Sequence, residues 1–311
     1  MTKKPLALLS PLFLSFALFT AFAQQQPGSS SGNSVNVIVT AEADRGKAIP
    51  PLEPEDIQVT QSGKPVHVTA LTPLQGDGAP LQLLLLIDDS AGSSFGTEIN
   101  TLKKFITSLP ESAEVGVGYM RNGMAQMTSR LTRDHTAAAK SIRLAQGPGG
   151  SDVNPYESLA DAIKKWPAGQ ARREVIMISS GIEGLGGGFT SDNPYVNAGI
   201  SGAQKAGVVV YTIYSPSVGH MGHTLWRENW GQNFLSMLSD ATGGESYYIG
   251  LGAPVSFSPF LQEIREKLDH QYRLTFDAVT DVKAGLQPIK VKVKEKNASL
   301  AYPSKVYVGA H

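Results

Sequence analysis

The segment "LLLLIDDSAGSSFG", residues 83 to 96, runs an aliphatic string straight into two acids, a serine and a cluster of small residues. Residues of these types admit three readings. Asp88 and Ser90 offer a carboxylate and a hydroxyl, oxygens suited to a hard cation such as Mg²⁺. Gly92-Ser93-Ser94-Phe95-Gly96 satisfies the G-x-S-x-G spacing of a hydrolase nucleophile elbow, with Ser94 as the attacking group and histidines downstream at 135, 220, 223 and 270. The third reading is an ordinary strand end whose polar side chains close on one another through hydrogen bonds. An elbow needs its serine on a sharp turn directly after the strand, and here Asp88 to Gly92 intervene, so the hydrolase stands as the alternative.

The elements around this segment must place it. Leu81–Ile87 is a continuous apolar run, the pattern of a central strand covered on both faces, and Thr97–Leu109 carries Ile99, Leu102, Phe105, Ile106 and Leu109 at helical spacing. Two strand-like runs then meet at Asn122-Gly123, the dipeptide that most readily takes both positive-φ positions of a type I′ hairpin. Helical patterns at His135–Ile142, Pro155–Trp166, Asn193–Ala206 and 229–244 alternate with the strand-like "EVIMISS", "GVVVYTIY" and "ESYYIG". The fold class expected is α/β: a doubly wound, mostly parallel, Rossmann-like sheet with one antiparallel edge. Such sheets place ligands at the carboxyl ends of their strands, where Asp88 falls.

On either side the pattern is β. "SVNVIVTAEA", Ile57–Gln61 and Val66–Leu71 read as short strands, with Ser62-Gly63 as a turn, and "HQYRLTFDAV", "PIKVKVKEK" and "SKVYVGA" follow a last helix at Phe257–Asp269. The organisation expected is a signal peptide at 1–23, a linker at 24–34, an amino-terminal β module at 35–78, the α/β domain at 79–250 and a carboxyl-terminal helix and β extension at 251–311. The signal rests on Lys3 and Lys4, an apolar Leu6 to Thr20 and the small residues of Ala21-Phe22-Ala23. A secreted or periplasmic location follows, with no membrane span after cleavage.

Composition closes off other classes. Lys plus Arg equals Asp plus Glu at 27 each, so no nucleic-acid partner is suggested, and the absence of cysteine removes disulfides, thiolate chemistry and Cys-ligated metals. His220 and His223 lack an evident third ligand, and "GLGGGF" lacks the last glycine of a dinucleotide fingerprint.

The order of motifs resembles the von Willebrand factor A (VWA) superfamily, and within it the secreted bacterial VWFA-related proteins. The matching residues are Leu52, Asp56, Ile57, Val59, Gly63 and Lys64 near the start, Thr242-Gly243-Gly244, and Tyr272 to Leu274 with Ile289 to Val293 near the end. The resemblance implies a metal-ion-dependent adhesion site built from D-x-S-x-S, a later Thr and a later Asp. Here Asp88 and Ser90 match, Gly92 replaces the third position, Ser151 stands for the Thr and Ser180 replaces the Asp. That leaves a degenerate metal site of Asp88, Ser90 and Ser151, holding no cofactor or a weakly bound Mg²⁺, with Asp89, Asp152 or Glu183 as substitutes for the missing carboxylate. The function expected is non-enzymatic: binding a protein or cell-envelope component through the strand-end face. The alternatives are a serine hydrolase using Ser94 and a structural envelope protein.

Overall fold

The computed structural model describes residues 34–43, 47–76, 79–147, 154–167, 169, 171–184, 186–216, 224–250, 254–279 and 283–309. The signal segment 1–23, Ser151, Asp152, His220 and His223 lie outside the described residues. In chain order the elements are β1 (Ser34–Ala43), β2 (Ile57–Gln61), β3 (Lys64–Val66), β4 (Val68–Pro73), β5 (Leu81–Asp88), α1 (Phe95–Ser108), β6 (Glu114–Arg121) and β7 (Met124–Thr132). There follow α2 (His135–Lys140), α3 (Pro155–Lys164), β8 (Arg172–Ser179), α4 (Pro194–Ala206), β9 (Val208–Tyr214), α5 (Leu225–Thr242) and β10 (Ser246–Tyr247). The last are α6 (Ser258–Asp269), β11 (Gln271–Asp277), β12 (Gly285–Val293), β13 (Ala298–Ala301) and β14 (Lys305–Val308).

The central sheet has six strands in the order β10-β9-β8-β5-β6-β7, parallel except for the β6–β7 hairpin. Asn122 and Gly123 hold φ of 52° and 68°, the paired positive values that a type I′ turn requires. Because side chains alternate across a strand, β5 feeds two cores. Leu83, Leu85 and Ile87 meet α1, α2 and α6, while Leu84 and Leu86 meet α3, α4 and α5. Fully buried on both faces, β5 is intolerant of truncation: Leu85→Ala should cost about 2–5 kcal/mol. The chain enters the sheet at β5, winds outward through β6 and β7, then returns to the other side through β8, β9 and β10. The crevice above β5 and β8 is therefore the point where successive connections diverge, and Asp88 sits there.

The remaining strands form two four-stranded sheets, β13-β1-β11-β4 and β14-β12-β2-β3. Strands from the two ends of the chain pair with one another: β1 with β11, β4 with β11, and β2 with β12, all antiparallel. The two sheets share one core containing Val37, Val39, Ile57, Val59, Leu274, Phe276, Ile289 and Val291. The α/β domain is thus inserted into a β-sandwich between β4 and β11. Lys267 of α6 ties the layers together by ion pairs to Glu42 of β1 and, at 3.1 Å, to Glu245 before β10. Among the described residues no helix is long and apolar enough to cross a membrane.

Candidate functional site

Asp88 ends β5, and the parallel register that sets Ile87 beside Ile178 brings Asp88 next to Ser179 at the end of β8. Partnered residues on parallel strands share a face, so their side chains meet: the Ser179 hydroxyl donates to Asp88 Oδ2 at 2.9 Å. The chain then turns, and Ser90 donates to Asp88 Oδ1 twice, from its N–H at 2.9 Å and its hydroxyl at 2.6 Å. Both carboxylate oxygens are thereby occupied in a site only 3% exposed. Burial raises the Asp88 carboxyl above its usual range, the bonds from Ser90 and Ser179 pull it back in part, and the charge of Asp89 adds to the rise.

Asp89 meets the opposite fate one residue on. Its carboxylate receives the two-pronged guanidinium of Arg143 at 2.7 and 3.2 Å, Arg121 Nη1 at 3.0 Å and the Gln146 N–H at 2.9 Å. Burial works to raise this carboxyl, but the bonds from Arg143, Gln146 and Arg121 outweigh it and hold Asp89 below the usual range. Arg143 is fixed in turn, its guanidinium 3.7 Å from the centre of the Tyr119 ring. The Tyr119 hydroxyl donates to the Arg143 carbonyl at 2.6 Å and accepts from the Arg143 N–H at 2.7 Å. Asp89 is an anchor for the 143–146 loop, and it shares no hydrogen-bond partner with Asp88.

The other residues of the expected site are placed as follows. The Gly92 N–H donates to the Pro216 carbonyl at 3.0 Å, joining the loop after β5 to the loop after β9. The Ser180 hydroxyl accepts from the Ile182 N–H at 3.4 Å and is not among Asp88's partners. Glu183 accepts from the Gly187 N–H at 3.0 Å and from Asn193 Nδ2 at 3.1 Å, so it braces its own loop against the cap of α4. Gly181 holds φ at 69°, and a Cβ there would stand 2.2 Å from the Gly231 carbonyl; only glycine lets α5 approach the end of β8 this closely.

A hard divalent cation requires charge as well as oxygens, and the described residues offer one carboxylate with both oxygens engaged. No described group of three His, Asp or Glu side chains is arranged to hold a metal. Ser151 and Asp152, two of the expected donors, lie outside the described residues. Ser94 is exposed at the amino end of α1, where its carbonyl accepts from Thr97. The described histidines contact other groups: His67 faces Asp277, His135 the Ala113 carbonyl and His270 the Glu266 carbonyl. Nothing described activates Ser94.

Around this closed centre the rim is apolar. Phe189, in the loop after β8, packs at a tilt against Trp226 in the first turn of α5 with ring centres 4.6 Å apart. Leu225 and Trp226 remain 68% and 57% exposed, and the Arg227 guanidinium lies 5.9 Å from the Phe189 ring. Tyr248 and Ile249, directly after β10, are exposed as well, and Gln232 of α5 steadies that loop through the Gly250 carbonyl at 2.6 Å. These side chains all follow the carboxyl ends of strands.

No family model matches the sequence, and no curated protein is similar to it in sequence. Solved structures are similar to it. One is an aerotolerance-related membrane protein from Bacteroides fragilis NCTC 9343, at 14% identity over 61% of this chain and 98% of that one, with a TM-score of 0.43. A second is BatB from Bacteroides thetaiotaomicron, at 17% identity over 61% and 98%, TM-score 0.40. A third is the vWF domain of the type V pili tip protein Mfa5 from Porphyromonas gingivalis, at 12% identity over 61% and 96%, TM-score 0.43. The likeness is one of fold alone.

Proposed function

We propose that this chain is a non-enzymatic binding module of the bacterial envelope or exterior, engaging a protein or envelope component through the carboxyl-end rim of its central sheet. One observation carries this reading: Leu225 and Trp226 stand exposed at that rim, Trp226 set at a tilt against the half-buried Phe189. Large apolar side chains gathered at one surface mark contact sites, since isolated exposure is common and clustered exposure is not. Aromatic groups of this kind dominate interface energetics. Asp88 and Asp89 beneath are engaged in internal hydrogen bonds, which supports contact through the rim without a bridging cation. The export pattern in residues 1–23 supports the location.

Capture from envelope extract tests it. The immobilised chain should retain a defined set of components equally in Mg²⁺ and in chelator, and Leu225→Ser/Trp226→Ser should lose them. Retention indifferent to both substitutions would refute the assignment of the face.

A further inference from the structure

The outer face of the sheet β14-β12-β2-β3 carries charge of one sign. Opposed residues of antiparallel strands share a face, so the register that turns Ile289, Val291 and Val306 into the sandwich core turns Lys290, Lys292 and Lys305 to solvent. Thr60 and Gln58 of β2 stand opposite Lys290 and Lys292, and Pro288 stands opposite Lys305. None of the four strands contains Asp or Glu. At one edge Lys205 of α4 adds a further exposed cation, its Nζ 5.2 Å from the centre of the Tyr307 ring.

A need for solubility does not account for this selection. Either sign keeps a face soluble, and the companion sheet mixes them, with Glu42 on β1 and Arg273 and Asp277 on β11. In a chain with 27 basic and 27 acidic residues, the exclusion of acids from four neighbouring strands is a local excess of positive charge. Asp56 and Glu295 flank the strands only at the end where Ile57 pairs with Val293.

The layout of the face selects its partner. The ammonium groups lie side by side on a sheet and do not converge: Lys290 and Lys292 are next-but-one on a strand, about 7 Å apart, and Lys305 is on the neighbouring strand. Dispersed point charges on flexible stems suit a surface of many anionic headgroups, each met separately, better than one small anion. Leu286 and Tyr307 oppose each other across the β12–β14 pair, and Tyr307 is 42% exposed. A phenol beside an aliphatic side chain matches the boundary between headgroups and acyl chains, which a nucleic acid lacks. We infer that this face docks on an anionic phospholipid surface through Lys205, Lys290, Lys292 and Lys305, with Tyr307 at headgroup level. The face belongs to the sandwich, and its role does not rest on that of the rim.

Co-sedimentation of the full chain with vesicles tests the inference. At low ionic strength the parent should bind mixed phosphatidylglycerol and phosphatidylcholine vesicles more tightly than vesicles of phosphatidylcholine alone, and added salt should erode the preference. Lys290→Gln/Lys292→Gln/Lys305→Gln should weaken binding to the mixed vesicles by about tenfold or more. Lys104→Gln/Lys140→Gln/Lys164→Gln, an equal charge change at exposed positions of α1, α2 and α3, should leave it unaltered, as should Leu225→Ser/Trp226→Ser at the rim. Lys3, Lys4 and the apolar Leu6 to Thr20 are common to every variant, so their contribution cancels. No preference for phosphatidylglycerol in the parent, equal weakening in the two triple variants, or loss of binding in the rim variant overturns the inference. Duplex DNA bound through the three lysines without vesicle binding assigns a polyanion instead and overturns it as well.

Discussion

The two ends of the central sheet both bury charged groups, but they complete them differently. At the carboxyl end, Asp88 takes three donors from Ser90 and Ser179, and Asp89 takes four from Arg143, Arg121 and Gln146. At the amino end of β8, both oxygens of Glu174 and the Nε of Arg172 have no hydrogen-bond partner. A closed cluster acts as scaffold, whereas the unpaired Glu174 carboxyl holds a proton up to about pH 8. Doubly wound sheets place ligands at the carboxyl ends of their strands. This chain's own hydrogen bonds engage Asp88 and Asp89 there.

The largest expected effect breaks the closed end. Asp89→Ala leaves the guanidinium groups of Arg121 and Arg143 without their shared carboxylate, and urea unfolding should show a loss of about 3 kcal/mol. Asp88→Ala, which strands only neutral donors, should cost less, about 1–2 kcal/mol. The reverse order would contradict the division of labour between the two acids.

Next in size is a pH dependence at the open end. The folded-state carboxyl of Glu174 lies near 8, above its ordinary 4.5, so the folded chain holds a proton that the unfolded chain has released between those values. This group's contribution is therefore complete below about pH 4.5, declines as pH rises toward 8 and is flat above. Glu174→Gln should remove that slope and leave the variant more stable than the parent at pH 9, by roughly 2 kcal/mol. An unchanged slope in the variant would assign the dependence elsewhere.

The smallest stability change should come from the rim. Trp226→Ser should alter unfolding free energy by no more than about 0.5 kcal/mol, because the side chain is more than half exposed, while abolishing capture of the partner. A large loss of stability would make Trp226 part of the core instead.

Much of the frame was legible in the residues themselves. The unbroken run at Leu81–Ile87 marked a strand covered on both faces, Asn122-Gly123 marked the hairpin, and the alternation after Asp88 marked a wound sheet. Pairing across long separations was not legible, because periodicity describes one strand and says nothing of its neighbour. Two terminal β modules in sequence are one sandwich in space, with β1 against β11. The short β13, within Ala298–Ala301, carries too few residues to show a period. The helix expected over 229–244 begins a turn earlier at Leu225, and that extra turn holds Trp226.

At the site, Asp88 and Ser90 are two residues apart and their contact follows from a turn. Ser179 becomes Asp88's neighbour only through the β5–β8 register, which sets the adjacent Ser180 on other partners. Arg143 reaches Asp89 across 54 residues with no local signal at all.

The central proposal is that Asp88 and Asp89, closed by their own hydrogen bonds, act without a cation. Calorimetric titration of the purified chain with Mn²⁺ and then Mg²⁺, in parent and Asp88→Ala, tests it most directly. Parent and variant should be alike, with no saturable binding tighter than about 1 mM. Stoichiometric binding below that range in the parent, lost in Asp88→Ala, would show an open metal site and contradict the account.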